Sequence, residues 1–312
     1  MTLRSEKILS QILVIFGVFL SLEALVYILN LNQQDIYIHL ALFIFVYITL
    51  KFTFYFDLHF KSSGVLACKL KRHASRWDWL ACRLGMLRQY AVSRFVHFRH
   101  WRTLRHWINC LGLPWLLYWG TVAIIFLNFH RSLVQQSAVV LSGIALSLIF
   151  WHLKEIYLNQ GENVSEVTHV TLQTIKLYTA FVIFLACIGL AHYFCLPYTL
   201  FCLAIFGSIF TLMYQSLFHM QQINLKAIGS IFIIAAIITV FSGLVFVYWG
   251  LSNPTAALFL LGLYNFFWGV YSYHLRKRLS WAIFMEHLLI TVLITGLSFG
   301  TTNFKAQLLP YC

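Results

Sequence analysis

The sequence predicts an all-α polytopic integral membrane protein: a bundle of about nine transmembrane helices plus one basic amphipathic interfacial helix. Three observations carry that prediction. Of 312 residues, 61% are hydrophobic and only 10% charged. Apolar runs long enough to cross a bilayer recur along the whole chain. Basic residues crowd into alternate connections between those runs. A soluble domain carries about 25% charged residues, so this chain lacks the polar surface needed to stay in water. Soluble enzymes, disordered chains and disulfide-built secreted domains are thereby excluded.

A hydrocarbon core of ~30 Å takes about 20 mostly apolar residues per helix. The first run, 8–30, is too long for the apolar stretch of a signal peptide and has no small-residue cleavage site. With the second run, 36–57, it makes a first transmembrane hairpin over 1–57. Seven further runs make a bundle over 110–312: 110–130, 134–152, 171–194, 197–218, 227–250, 255–274 and 280–299. Gly112 and Pro114 stand at the start of the third run. Proline is tolerated in a first helical turn, so this helix begins at Leu113 or, kinked and longer, at Trp107.

Residues 58–109 separate hairpin from bundle. Eleven basic residues and one acid, Asp78, give this stretch most of the chain's net charge of +13. Its apolar residues recur in steps of three or four, through Trp77, Leu80, Leu84, Leu87, Ala91, Phe95, Phe98, Trp101, Leu104 and Ile108. That is the helical period. A helix of this kind lies in the membrane surface, with aromatics in the acyl boundary and cations at the phosphates. Arg76, Arg83, Arg94, Arg99, Arg102 and Arg105 are the expected contacts to anionic lipid headgroups. The same guanidinium groups could instead hold the phosphate of a lipid-linked or nucleotide substrate, or dock a cytoplasmic partner or an unknown partner in a membrane complex. Apposition to a membrane explains the charge, and nucleic acid is not an expected partner.

Charge also orients the chain. The connections at 31–35, 131–133, 195–196 and 251–254 hold almost none, whereas the N-terminus, 58–109, 153–170, 219–226 and 275–279 hold most of the Lys and Arg. The positive-inside rule then places the N-terminus in the cytoplasm and the C-terminus outside, as in a plasma membrane. Lys51 and Lys176 fall inside runs near their basic ends, where long stems are expected to reach the headgroups.

Ionisable and polar groups inside spans are functional suspects by default. Depth in the runs suggests that Glu23 pairs with His39, and that Glu286 pairs with Lys51 beside His287. Asn265 is a further polar group expected to face the bundle. Such groups form either static clasps between helices or a proton or ion path. Metal binding has only His97, His100 and His106 to offer, a single HxxH with arginines beside it, so neither metal nor cofactor is expected. His192, Cys195 and Cys202 bracket the turn after the fifth run and could make an outer disulfide or a metal site. Glu286-His287 is not part of an HExxH motif, and Asp35, Asp57 and Asp78 are isolated. No phosphate-binding glycine loop is present. These absences favour a transporter-like, small-solute or lipid-handling component. The alternatives are a membrane-embedded transferase acting on an anionic lipid-linked substrate and a structural subunit of a complex.

Overall fold

The computed structural model describes residues 3–60, 101–158, 166–220, 224–248 and 252–300. Every regular element among them is an α-helix, nine in all: α1 (Leu3–Asn30), α2 (Gln34–Phe60), α3 (Trp101–Leu127), α4 (Ser132–Leu158), α5 (Glu166–Tyr193), α6 (Tyr198–His219), α7 (Leu225–Tyr248), α8 (Asn253–Leu275) and α9 (Trp281–Gly300). Seven of these, α2 and α4–α9, are long and apolar enough to cross a membrane. The apolar stretches of α1 and α3, Ile15–Asn30 and Leu111–Leu127, are shorter.

Several helices run past the apolar windows that announce them, most of all at the basic end. Hydropathy marks where hydrocarbon stops, whereas a helix ends only where its backbone bonds do. The third span shows this best. It begins at Trp101, six residues before the longer of the two expected starts, and carries Pro114 inside it. Trp101–Cys110 therefore belongs to α3 and not to a separate surface helix. The apolar series through Trp101, Leu104 and Ile108 runs on in phase into the span. Residues 61–100, the rest of the expected interfacial helix, lie outside the described residues.

Short turns join the helices at both ends. Asn32 between α1 and α2, Cys195 between α5 and α6, and Lys277 between α8 and α9 take left-handed φ values of 58°, 50° and 55°. Asn224 caps α7 by accepting the Ala227 N–H at 2.6 Å, and Ser280 Oγ accepts the Ile283 N–H at the start of α9. Each side-chain cap satisfies a donor that the first turn leaves without an intrahelical acceptor.

Packing divides the helices into two groups around a shared centre. Helices α1, α2, α3 and α4 contact one another, and α3 joins them to the second group through α5 and α6. In the second group α5 meets α6, α6 meets α7, α7 meets α8 and α8 returns to α5. These four close a ring. Helix α9 stands outside it, packed on α8. Aromatic hydroxyls stitch the first group: Tyr37 donates to the Val122 carbonyl at 2.7 Å and Tyr118 to the Ala41 carbonyl at 2.8 Å. With no water in the core, such groups must find acceptors within the protein.

Candidate functional site

The ionisable groups singled out from the sequence do not converge. Glu23, half-buried on α1, accepts a hydrogen bond from Gln136 Nε2 of α4 at 3.3 Å. His39 is exposed, and its Nδ1 lies 2.7 Å from the Asp35 carbonyl one turn earlier in its own helix. The suggested Glu23–His39 pair is thus replaced by two other contacts. Lys51 and Glu286 are both exposed and do not pair either. Lys51 Nζ stands 5.7 Å above the Tyr47 ring, and Glu286 belongs to α9 on the far side of α8. The physical reason is rotational: position along a run fixes depth, but not which helix stands beside it.

His287 and Asn265 occupy the α8–α9 side. His287 lies against the bare backbone of Gly269, where a Cβ would meet the imidazole Nδ1 at 2.6 Å. Its Nδ1 is buried with no hydrogen-bond partner, and the ring centroid is 5.8 Å from that of Tyr273. Asn265 is half-buried on α8. Arg76, Arg83, Arg94, Arg99, His97 and His100 lie outside the described residues, as do the side chains of Arg102, Arg105 and His106.

Lys176 departs from expectation. It does not reach for the headgroups but is 3% exposed, and its Nζ donates to Ser216 Oγ of α6 at 2.8 Å. The serine hydroxyl in turn donates to the Leu212 carbonyl at 2.9 Å. Nearby seams carry more polar groups. Thr121 Oγ1 lies 2.7 Å from Ser142 Oγ, which lies 3.0 Å from the Tyr178 hydroxyl, tying α3, α4 and α5 in one row.

Helix α8 presents the feature that sequence reasoning missed. Asn253, Ala257, Leu260, Tyr264, Trp268 and Tyr271 recur at steps of four and three, so they form one stripe. At its N-terminal end the stripe meets α5, with His192 Nδ1 2.9 Å from Asn253 Oδ1. At its C-terminal end Tyr271 OH donates to the Ala227 carbonyl of α7 at 3.5 Å. The stripe therefore faces the interior of the α5–α8 ring. Tyr264 and Trp268 within it are 0% and 1% exposed, and neither the Tyr264 hydroxyl nor Trp268 Nε1 has a hydrogen-bond partner. Taking His192–Asn253 as the register mark and 1.5 Å per residue, Trp268 lies about 22 Å below it and Lys176 about 24 Å. A lysine ammonium, an indole N–H and, one turn away, a phenol are thus brought to similar depth on the ring's inner faces. The lysine and indole can only donate, and the phenol is a ready donor.

At the α5–α6 turn, Cys202 is a free thiol and His192 is taken up by Asn253 and by stacking on Phe246, at 4.8 Å between centroids. The suggested pairing of Cys195 with Cys202 does not form. No group of three or more metal-binding side chains occurs among the described residues. No protein-family model matches this sequence, and neither any curated protein nor any solved structure matches it.

Proposed function

We propose that this chain is a transporter-like membrane component that admits a small hydrogen-bond-accepting solute, such as an anion or a carboxylate, into the α5–α8 ring. The observation that carries the reading is the pair of buried donors without acceptors, Tyr264 OH and Trp268 Nε1. A buried donor left unsatisfied costs about 1–3 kcal/mol, and two on one stripe cost twice that. An acceptor entering the ring would recover this energy, and the protein then holds in its empty state a cost that binding removes. The exposed or externally paired Glu23 and Glu286 take no part in this site, so a carboxylate proton path through the bundle is not its basis.

The orientation that accompanies this reading rests on charge. Lys226 and Arg276–Arg278 stand at one end of the helices, and Arg131 at the other. That pattern supports a cytoplasmic basic end, with the N-terminus inside, the C-terminus outside and the chain in a plasma membrane. The basic connection between α2 and α3 would then meet the anionic inner leaflet.

Thermal unfolding of the full chain in detergent tests the site, using chloride, formate, acetate and phosphate as probes at constant ionic strength. One or more of them should raise the wild-type melting temperature, and Tyr264→Phe should abolish that rise. The same substitution should leave the unliganded protein as stable as wild type or more so, because it removes an unsatisfied hydroxyl. A Tyr264→Phe chain that is less stable without ligand would mean that the hydroxyl has a structural partner. That result, or the absence of any shift in wild type, would overturn the reading in favour of a structural subunit.

A further inference from the structure

One end of the α5–α8 ring is crossed by side chains. His192 stands one residue before the end of α5, Phe246 two before the end of α7 and Phe201 three beyond the start of α6, while Asn253 opens α8. Each helix of the ring thus contributes one residue at one level, and their contacts are continuous. The Phe201 and Phe246 rings stack at 4.7 Å between centroids, with 22° between their planes. Phe246 stacks in turn on the His192 imidazole, at 4.8 Å and 19°. His192 Nδ1 donates to Asn253 Oδ1 at 2.9 Å, since an amide oxygen can only accept.

The middle contact crosses the ring. Helices α5 and α7 stand diagonally in it and do not pack side by side. A side chain of one meets a side chain of the other only by reaching over the space between the four helices. His192 and Phe246 do so, and the stack is therefore a bar over the ring's mouth. Exposure changes across it. His192, Phe246 and Asn253 are half-buried, whereas Ala257 and Leu260, the next residues of the α8 stripe, are both 0% exposed. Ala257 lies about 6 Å beyond Asn253 along α8, and Tyr264 about 17 Å.

The closed bar leaves one polar atom unsatisfied. With Nδ1 donating to Asn253, Nε2 is a bare acceptor, and it is buried without a hydrogen-bond partner. Turning the imidazole outward brings Nε2 to water, at the expense of one hydrogen bond and one stacked contact. No helix has to move. We infer that His192 and Phe246 form a gate across this mouth, latched by Asn253. As a functional device the gate rests on the reading that the ring admits a solute. By the orientation proposed from charge, it opens outward.

Cysteine labelling tests the gate with no solute present. The reporter is Ala257→Cys in the full chain in lipid nanodiscs, reacted with a negatively charged methanethiosulfonate and read from the mass of the peptide holding residue 257. With the bar intact the reporter should react slowly but to completion. Asn253→Leu keeps the bulk of the side chain and removes the latch; it should speed the reaction by up to about tenfold, as loss of one neutral hydrogen bond implies. Phe246→Ala removes the far half of the bar and should speed it further. Tyr193 is exposed beside His192 and packs on Phe126 and Phe194 instead, so Tyr193→Ala should leave the rate unchanged.

Three results would overturn the gate. A reporter that reacts only after denaturation would make the bar a fixed wall. An unchanged rate in Asn253→Leu would make it passive packing, and an equal acceleration by Tyr193→Ala would mean that this whole end had loosened. The transport reading fails separately: the expected labelling rates without any anion-induced rise in melting temperature would remove that reading and leave the gate standing.

Discussion

Lys176 shows what a single residue adds to, and withholds from, a reading of the sequence. Its presence inside an apolar run is plain, and so is its nearness to a basic end. Its direction is not, because a lysine stem can lie outward along the lipid or turn inward to a neighbouring helix. The structure turns it inward, onto Ser216. A hydrogen bond to a charged group contributes about 1.5–3 kcal/mol, and its loss leaves part of a buried ammonium uncompensated. Ser216→Ala should therefore destabilise the protein by about that amount. Lys176→Met removes the charge together with its desolvation cost, and replacing a buried ion by an apolar side chain of similar size is often neutral. Ser216 keeps its own bond to the Leu212 carbonyl in that variant. Denaturant titration in mixed micelles should rank Ser216→Ala as clearly less stable than Lys176→Met. The reverse order would mean that the ammonium holds more of the core than this one contact.

At the scale of the helix, the elements were legible and their faces were not. All nine expected spans correspond to helices, because the length of an apolar run is a one-dimensional property and the bilayer sets its scale. Partner faces are another matter. A helix in lipid is apolar all round, so the contrast that marks the buried side of a soluble helix is largely missing. The pairings of Glu23 with His39 and of Lys51 with Glu286 failed for that reason. Small residues are the better guide, since they let helices approach closely. Gly262 and Gly269 on α8 both face α9: Thr291 Oγ1 donates to the Gly262 carbonyl at 3.1 Å, and the His287 ring covers Gly269. Gly296 of α9 has nothing within 4 Å of where a Cβ would be. Overpacking a tight contact costs about 1–3 kcal/mol, and the flat imidazole has no slender end to swing aside. Gly269→Leu should push α9 away from α8, and Gly296→Leu should not. Spin labels at the exposed positions Leu258 and Leu293 would report this by pulsed-EPR distances. The distribution should lengthen or broaden in the first variant only; an unchanged distribution there would mean that His287 is not wedged between the helices.

Across the whole molecule, the distribution of charge raises the question of which end of the helices faces the cytoplasm, because basic residues respond to the membrane potential and leaflet composition during insertion. The buried donors of Tyr264 and Trp268 were illegible at this scale: tyrosine and tryptophan in a span read as interfacial anchors, and only the assembled ring reveals that these two face inward. Short turns at both ends make the orientation testable. Arg131, in the α3–α4 turn, and Lys277, in the α8–α9 turn, stand at opposite ends of the bundle and are both exposed. With cysteine introduced singly as Arg131→Cys or Lys277→Cys, a membrane-impermeant maleimide applied to intact cells should label the first and spare the second. Permeabilisation should then open the second to labelling. Labelling of Lys277→Cys alone in intact cells would invert the bundle and overturn the orientation drawn from charge. Labelling of both would mean that an even number of the helices between them crosses the membrane, and α4–α8, the five between these turns, would then have to be counted again.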